Sequence, residues 1–184
     1  MEKGELKLKG FTIIEVSLVL AIAGLIFLMI FIALPALQRQ QRDTARKEDI
    51  TALISAVKKY QTNNRGALPE GTNVTVTYDA ESIENQNSWG GFLHDYMDDG
   101  FEDPSSGESY VLRVVNCDGG GTGRTCSSAG SVTDASFPND FSIFVIKTAK
   151  CSGDESTGAL QTSNPRKIAV LYKLEGGGIY CEDS

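Results

Sequence analysis

The residues able to do chemistry in this chain are few, and their placement is uneven. Glu15 is the single charge in residues 11–37, FTIIEVSLVLAIAGLIFLMIFIALPAL. A carboxylate in such an apolar run costs several kcal/mol unless it finds a partner, and no cation lies near it in the chain. The four cysteines, Cys117, Cys126, Cys151 and Cys181, all fall after residue 65. Their even number, without CxxC spacing, points to two disulfides rather than to zinc. Three pairings are open at this point. His94 is the only histidine, so neither a serine or cysteine triad nor a two-histidine metal site can be built. The expectation is a chain that is not an enzyme and that uses no metal or cofactor.

Three further motifs invite chemistry and are better explained without it. CDGGGTGRTC (117–126) is glycine-rich but lacks the GK[ST] ending of a phosphate loop. A loop closed between Cys117 and Cys126 accounts for it. Asp95, Asp98, Asp99, Glu102 and Asp103 are an acidic cluster without EF-hand spacing, expected as solvated surface. Asn73-Val74-Thr75 matches a glycosylation sequon, and Trp89 is expected in a core.

Segregated charge shows which elements carry these residues. The 184-residue chain has a formal net charge of -7. Residues 1–10 contribute +1, residues 11–37 contribute -1, residues 38–59 contribute +3 and residues 60–184 contribute -10. The acidic average disfavours nucleic acid as the partner of the whole chain, although Arg166, Lys167 and Lys173 form a local basic group. Val16 to Leu37 is long enough to cross a hydrocarbon core of roughly 30 Å. It is too long for a secretory signal peptide of about 7–15 apolar residues. Basic residues flank both of its ends, so the positive-inside count alone leaves orientation open.

The helix continues beyond the apolar run. Residues 38–63 contain no Gly or Pro, and Ile50, Leu53, Ile54, Val57 and Tyr60 recur at spacings of three and four. That stripe makes the second half amphipathic. Asn63, Asn64, Gly66 and Pro69 are stop signals. One helix over about 12–63 is expected, roughly 75 Å long, with Gly24 and Pro35 as its two breakers.

Residues 66–184 form a globular head in this reading. Strand-like runs occupy 74–78, 110–115, 141–147, 168–174 and 178–181, with a short helix around Phe92 to Met97. The expected class is α+β, an antiparallel sheet laid against the helix stripe. The segments are then a leader (1–10), an apolar helix half (11–37), an amphipathic helix half (38–65) and the head (66–184).

The residues KGFTIIEVSLVLAIAGLI, from Lys9 onward, closely resemble the class III signal of type IV pilins and pseudopilins. The likeness covers Lys9 to about Leu37. It rests on a short charged leader, Gly10 before Phe11, Glu15 at the fifth position after the cut, and the unbroken apolar helix. The resemblance implies cleavage between Gly10 and Phe11 by a prepilin peptidase and N-methylation of Phe11. It implies a cytoplasmic leader and an extracytoplasmic head, with the precursor held in the cell membrane by a single span. It also implies that Glu15 pairs with the Phe11 α-amine of a neighbouring subunit, and that the segment between Gly24 and Pro35 loses helical hydrogen bonding in a filament. Ile32 stands where the family often has proline, and Pro35 follows three residues later, which shifts that segment. A C-terminal disulfide loop is frequent in the family and supports Cys151–Cys181, leaving Cys117–Cys126.

The implied function is that of a structural, major subunit of an extracellular filament for adhesion, twitching motility or DNA uptake. Its partners would be further copies of itself, the prepilin peptidase, the inner-membrane pilus assembly machinery, minor pilins and, before assembly, the membrane. The alternative is a pseudopilin of a type II secretion or competence system. FEDPSSGESY (101–110) resembles the Asp-Pro-x-x-Gly-x-x-Tyr segment of major pseudopilins, some of which bind calcium. A membrane-anchored enzyme or receptor domain is the distant third reading.

Overall fold

A computed structural model describes residues 10–78, 88–97, 101–117, 141–152 and 159–184. The chain divides into two compact units, residues 1–39 and 40–184. Helix α1, Ile13–Asn63, begins in the first and ends in the second. Strand β1 (Val74–Thr77) and helix α2 (Trp89–Tyr96) follow. Then come β2 (Val111–Asn116), β3 (Ser142–Lys147), β4 (Ala149–Cys151), β5 (Leu160–Thr162), β6 (Ile168–Lys173) and β7 (Ile179–Asp183).

The fold is α+β, with the amphipathic half of α1 packed on a five-stranded sheet of order β1-β2-β3-β6-β7. The sheet is mostly antiparallel, but β2 and β3 run parallel with Leu112 opposite Ile143. The sheet is thus the antiparallel one expected, with this one parallel pair in it. Parallel neighbours need a connection of a dozen or more residues, which residues 117–141 supply.

One face of the sheet meets the helix stripe. Ile50, Leu53, Ile54, Val57 and Tyr60 are buried against Leu112, Val114, Ile143, Val145, Val170 and Tyr172. Trp89, Phe92 and Leu93 of α2 join the same core, as expected for Trp89. Ser88 caps α2 by accepting from the Gly91 N–H at 3.3 Å. The other face carries Phe144, Ile146, Ala169, Leu171, Ile179 and Cys181, covered by Ala149 of β4 and Leu160 of β5. This two-stranded β4–β5 sheet escapes a sequence reading, since its strands are only three residues long. Its presence explains why β3 and β6 are continuous apolar runs, because strands covered on both faces need no polar alternation.

α1 ends through local chemistry. The Gly66 N–H donates to the Gln61 carbonyl at 2.7 Å, and the Asn64 N–H to that of Tyr60 at 2.9 Å. These bonds form a left-handed C-terminal cap whose key position, φ +56°, is Arg65 and not a glycine. Replacing the exposed Arg65 with glycine is expected to raise unfolding free energy by about 1 kcal/mol. Urea denaturation of the chain in detergent micelles measures it.

Candidate functional site

The first candidate site is the start of α1. Gly10 and Phe11 are exposed and precede the helix. Thr12 is the residue before the first helical position, and its relation to Glu15 is that of a capping box. The Thr12 N–H and hydroxyl both donate to Glu15 Oε2, at 2.9 and 2.8 Å. The Glu15 N–H donates back to Thr12 Oγ1 at 3.3 Å. Glu15 thus holds the helix start within its own chain. The Thr-x-x-Glu spacing of Thr12 and Glu15 is legible in the sequence as a helix-start signal.

Beyond Glu15 the unit is an apolar surface. Phe11, Ile13, Ile14 and the large apolar side chains from Val16 to Leu37 are exposed, Phe11 at 87% and Phe31 at 73%. This is the one helix among the described residues long and apolar enough to cross a membrane. α1 runs through both Gly24 and Pro35. A Cβ at Gly24 would meet nothing within 4 Å, so packing inside this chain does not require glycine there.

The second candidate site lies where α1 enters the head. Arg46 falls four residues before Ile50 on the buried stripe and is only 2% exposed. Its Nε donates to Asp103 Oδ2 at 2.7 Å, and its Nη2 donates to Asp103 Oδ1 at 3.1 Å and to Ser105 Oγ at 2.8 Å. The Tyr172 hydroxyl donates to Asp103 Oδ2 at 2.8 Å, and the Arg46 guanidinium lies 5.4 Å from the centre of the Tyr172 ring. The N–H groups of Ser105 and Ser106 donate to Asp103 Oδ1 at 2.9 and 3.1 Å, and the Ser105 hydroxyl does so as well.

Asp103 is therefore not part of a solvated acidic surface, which corrects the expectation for that residue. It is 1% exposed and its carboxylate is saturated with donors. Burial pushes its carboxyl upward, but the hydrogen bonds from Arg46, Ser105 and Tyr172 outweigh burial and hold it well below the usual carboxylate range. Asp95 is exposed and faces His94 Nδ1 at 2.9 Å, while Glu102 is exposed in a bridge to Ser109. Asp98 and Asp99 lie outside the described residues. Close by, the Tyr110 hydroxyl donates to Asp49 at 2.9 Å. Burial chiefly raises the Asp49 carboxyl, and the Tyr110 bond opposes that rise.

The cysteines tie the distal face of the sheet. Cys151 of β4 and Cys181 of β7 are disulfide-bonded, with Cα atoms 6.0 Å apart. Asp183 accepts from the Cys151 N–H at 3.0 Å beside the bond. Cys117 is also disulfide-bonded. Cys126 and the glycine-rich loop before it lie outside the described residues. Asn73 is exposed in a turn with φ +57° before β1. Lys167 of the basic group donates its Nζ to the Ser184 carbonyl. Comparison with family models, curated proteins and solved structures found no match.

Proposed function

We propose that this chain is the structural subunit of a type IV pilus, processed after Gly10 and assembled through α1. The observation that carries the reading is the motif Gly10-Phe11 with Glu15 at the head of a helix whose large apolar side chains to Leu37 are exposed. Each such side chain gains about 1.5–3 kcal/mol on leaving water, so the segment requires lipid or other helices around it. A bilayer serves the precursor, and a bundle of the same helices serves the filament. The acidic head, -11 over residues 66–184, is displayed outside. In this reading the new α-amine of Phe11 competes with Thr12 for Glu15. A pair made in the low-dielectric bundle is specific in register and costly to break. Adhesion, motility and DNA uptake are all compatible with this architecture.

Electron microscopy of fibres sheared from the cell surface tests the proposal. Fibres should vanish when the chain is deleted, and their persistence would remove it as the major subunit. Gly10→Val is expected to leave the full-length precursor in the membrane, because a β-branched residue crowds the cut. Immunoblotting of membrane fractions reads the ratio of precursor to mature chain.

The segment Asp103 to Tyr110 favours a second reading, a pseudopilin of a secretion or competence system. It is a folded unit in this chain: Asp103 gathers the N–H groups that follow it, Gly107 adopts φ +66° and Tyr110 is fully buried. A calcium-dependent rise in melting temperature would favour the pseudopilin. Because Arg46 and Tyr172 already occupy Asp103, calcium would have to use other oxygens.

A further inference from the structure

The seam between α1 and the head has two chemically different parts. From Ile50 to Tyr60 its buried core is apolar, with Thr51 donating to Glu182 at the exposed edge at 2.9 Å. Before Ile50, Arg46 is the only buried side chain of the helix, and contact is made through charged and polar groups. There the turn joining β6 to β7, residues 174–178, sits on the helix turn 42–46. The N–H groups of Glu175 and Gly176 donate to the Asp43 carboxylate at 2.8 and 2.9 Å. Arg42 holds the Glu175 carboxylate with two bonds, at 2.7 and 2.5 Å.

We infer that turn 174–178 is a salt-sensitive latch that opens from helix turn 42–46 while the apolar core stays closed. Four observations carry this inference. The Arg42 and Glu175 side chains are 30% and 28% exposed, so mobile ions reach the pair and screen it. A cavity of about 340 Å³, lined by Arg46, Ser105, Lys173, Leu174 and Glu175, lies beside the turn. Its polar lining suits water, which can replace the contacts released on opening. The turn also closes on itself, through Leu174 N–H to Gly178 and Gly177 N–H to Leu174. Opening therefore severs its bonds to the helix and not its own shape. Finally, Gly177 and Gly178 have φ of +95° and +89°, a backbone region where glycine moves without a Cβ penalty. Contacts of this kind belong to the low-stability end of a protein, where local opening precedes global unfolding. An open latch leaves the head held to α1 by the stripe from Ile50 to Tyr60 and by the buried Arg46–Asp103 pair. This property stands whether or not the chain assembles into filaments.

Amide hydrogen exchange on the full chain in detergent micelles tests the latch. Between about 0.05 M and 1 M sodium chloride, exchange at Glu175 and Gly176 should accelerate about fivefold, with no change at Val145 and Val170 of the sheet core. Gly176→Ala supplies a steric test that leaves every charge in place, since its Cβ would lie 3.0 Å from Asp43 Oδ2. It should accelerate exchange at Glu175 in low salt and weaken the salt dependence. A salt-independent rate at Glu175 would overturn the proposal. So would acceleration at Val145 and Val170 in step with the turn, or an unchanged Glu175 rate in the alanine variant.

Discussion

Asp103→Ala is expected to destabilise the chain by about 3–5 kcal/mol, because it removes the bidentate partner of a buried guanidinium and leaves it only the carboxylates of Asp43 at 3.3 Å and Glu175 at 3.7 Å. Arg46 is 2% exposed and spends three of its hydrogen bonds on Asp103 and on Ser105, which Asp103 orients. The same change leaves the Tyr172 hydroxyl without its acceptor and frees the N–H groups of Ser105 and Ser106. Urea denaturation in detergent micelles measures the loss. Replacing both Arg46 and Asp103 with leucine should recover at least half of it, since a buried ion pair exchanged for apolar side chains of similar size is often nearly neutral. Equal losses in the single and double variants would contradict this assignment.

The sign of the pH dependence follows from the depressed Asp103 carboxyl. Its contribution is fully present above the unfolded-chain value of about 3.9 and is lost as pH falls from there toward the folded value. Asp49 acts in the opposite sense, because its raised carboxyl favours the protonated form in the fold. Its contribution improves on acidification and offsets part of the Asp103 loss. Stability should therefore fall below about pH 4, and Asp103→Asn should flatten that acid limb. An acid limb of wild-type slope in Asp103→Asn would place the titration elsewhere.

Glu15→Val is expected to insert into the membrane normally and to abolish filaments. Insertion gains from losing a charge in an apolar span. The helix start loses its capping box, a local cost of about 0.5–2 kcal/mol. Glu15→Gln separates the two roles, because glutamine can still close a capping box with Thr12 but carries no charge. If register in the filament depends on an ion pair to the Phe11 amine, Glu15→Gln also fails to assemble. Normal fibre yield from the glutamine variant, with loss from the valine variant, would show that capping is what assembly needs.

Much of this architecture was legible because its signals are periodic or additive. The stripe Ile50, Leu53, Ile54, Val57 and Tyr60 placed the helix face on the core. Asn63 and its neighbours ended α1 at the observed residue. The strand runs matched within one or two residues. Strand direction was not legible, since nothing within VLRVVN or SIFVIK distinguishes a parallel neighbour from an antiparallel one. The β4–β5 pair was too short to leave a pattern, although the unalternating β3 and β6 implied a cover on their second face. By sequence, Arg46 is one of the basic residues that follow the apolar run, and Asp103 is one of a cluster of acids. The phase of Arg46 is informative: it continues the buried stripe one turn before Ile50. A buried residue of that type demands a carboxylate, and among the acidic neighbours only Asp103 begins the Asp-Pro-x-x-Gly-x-x-Tyr segment.

The central claim is that the chain is a processed filament subunit. Mass spectrometry of the N-terminal peptide from cell-surface material tests it most directly. The proposal predicts a chain that begins at Phe11 and carries one methyl group on its α-amine. A chain that still begins at Met1, or one cut at another bond, would contradict it.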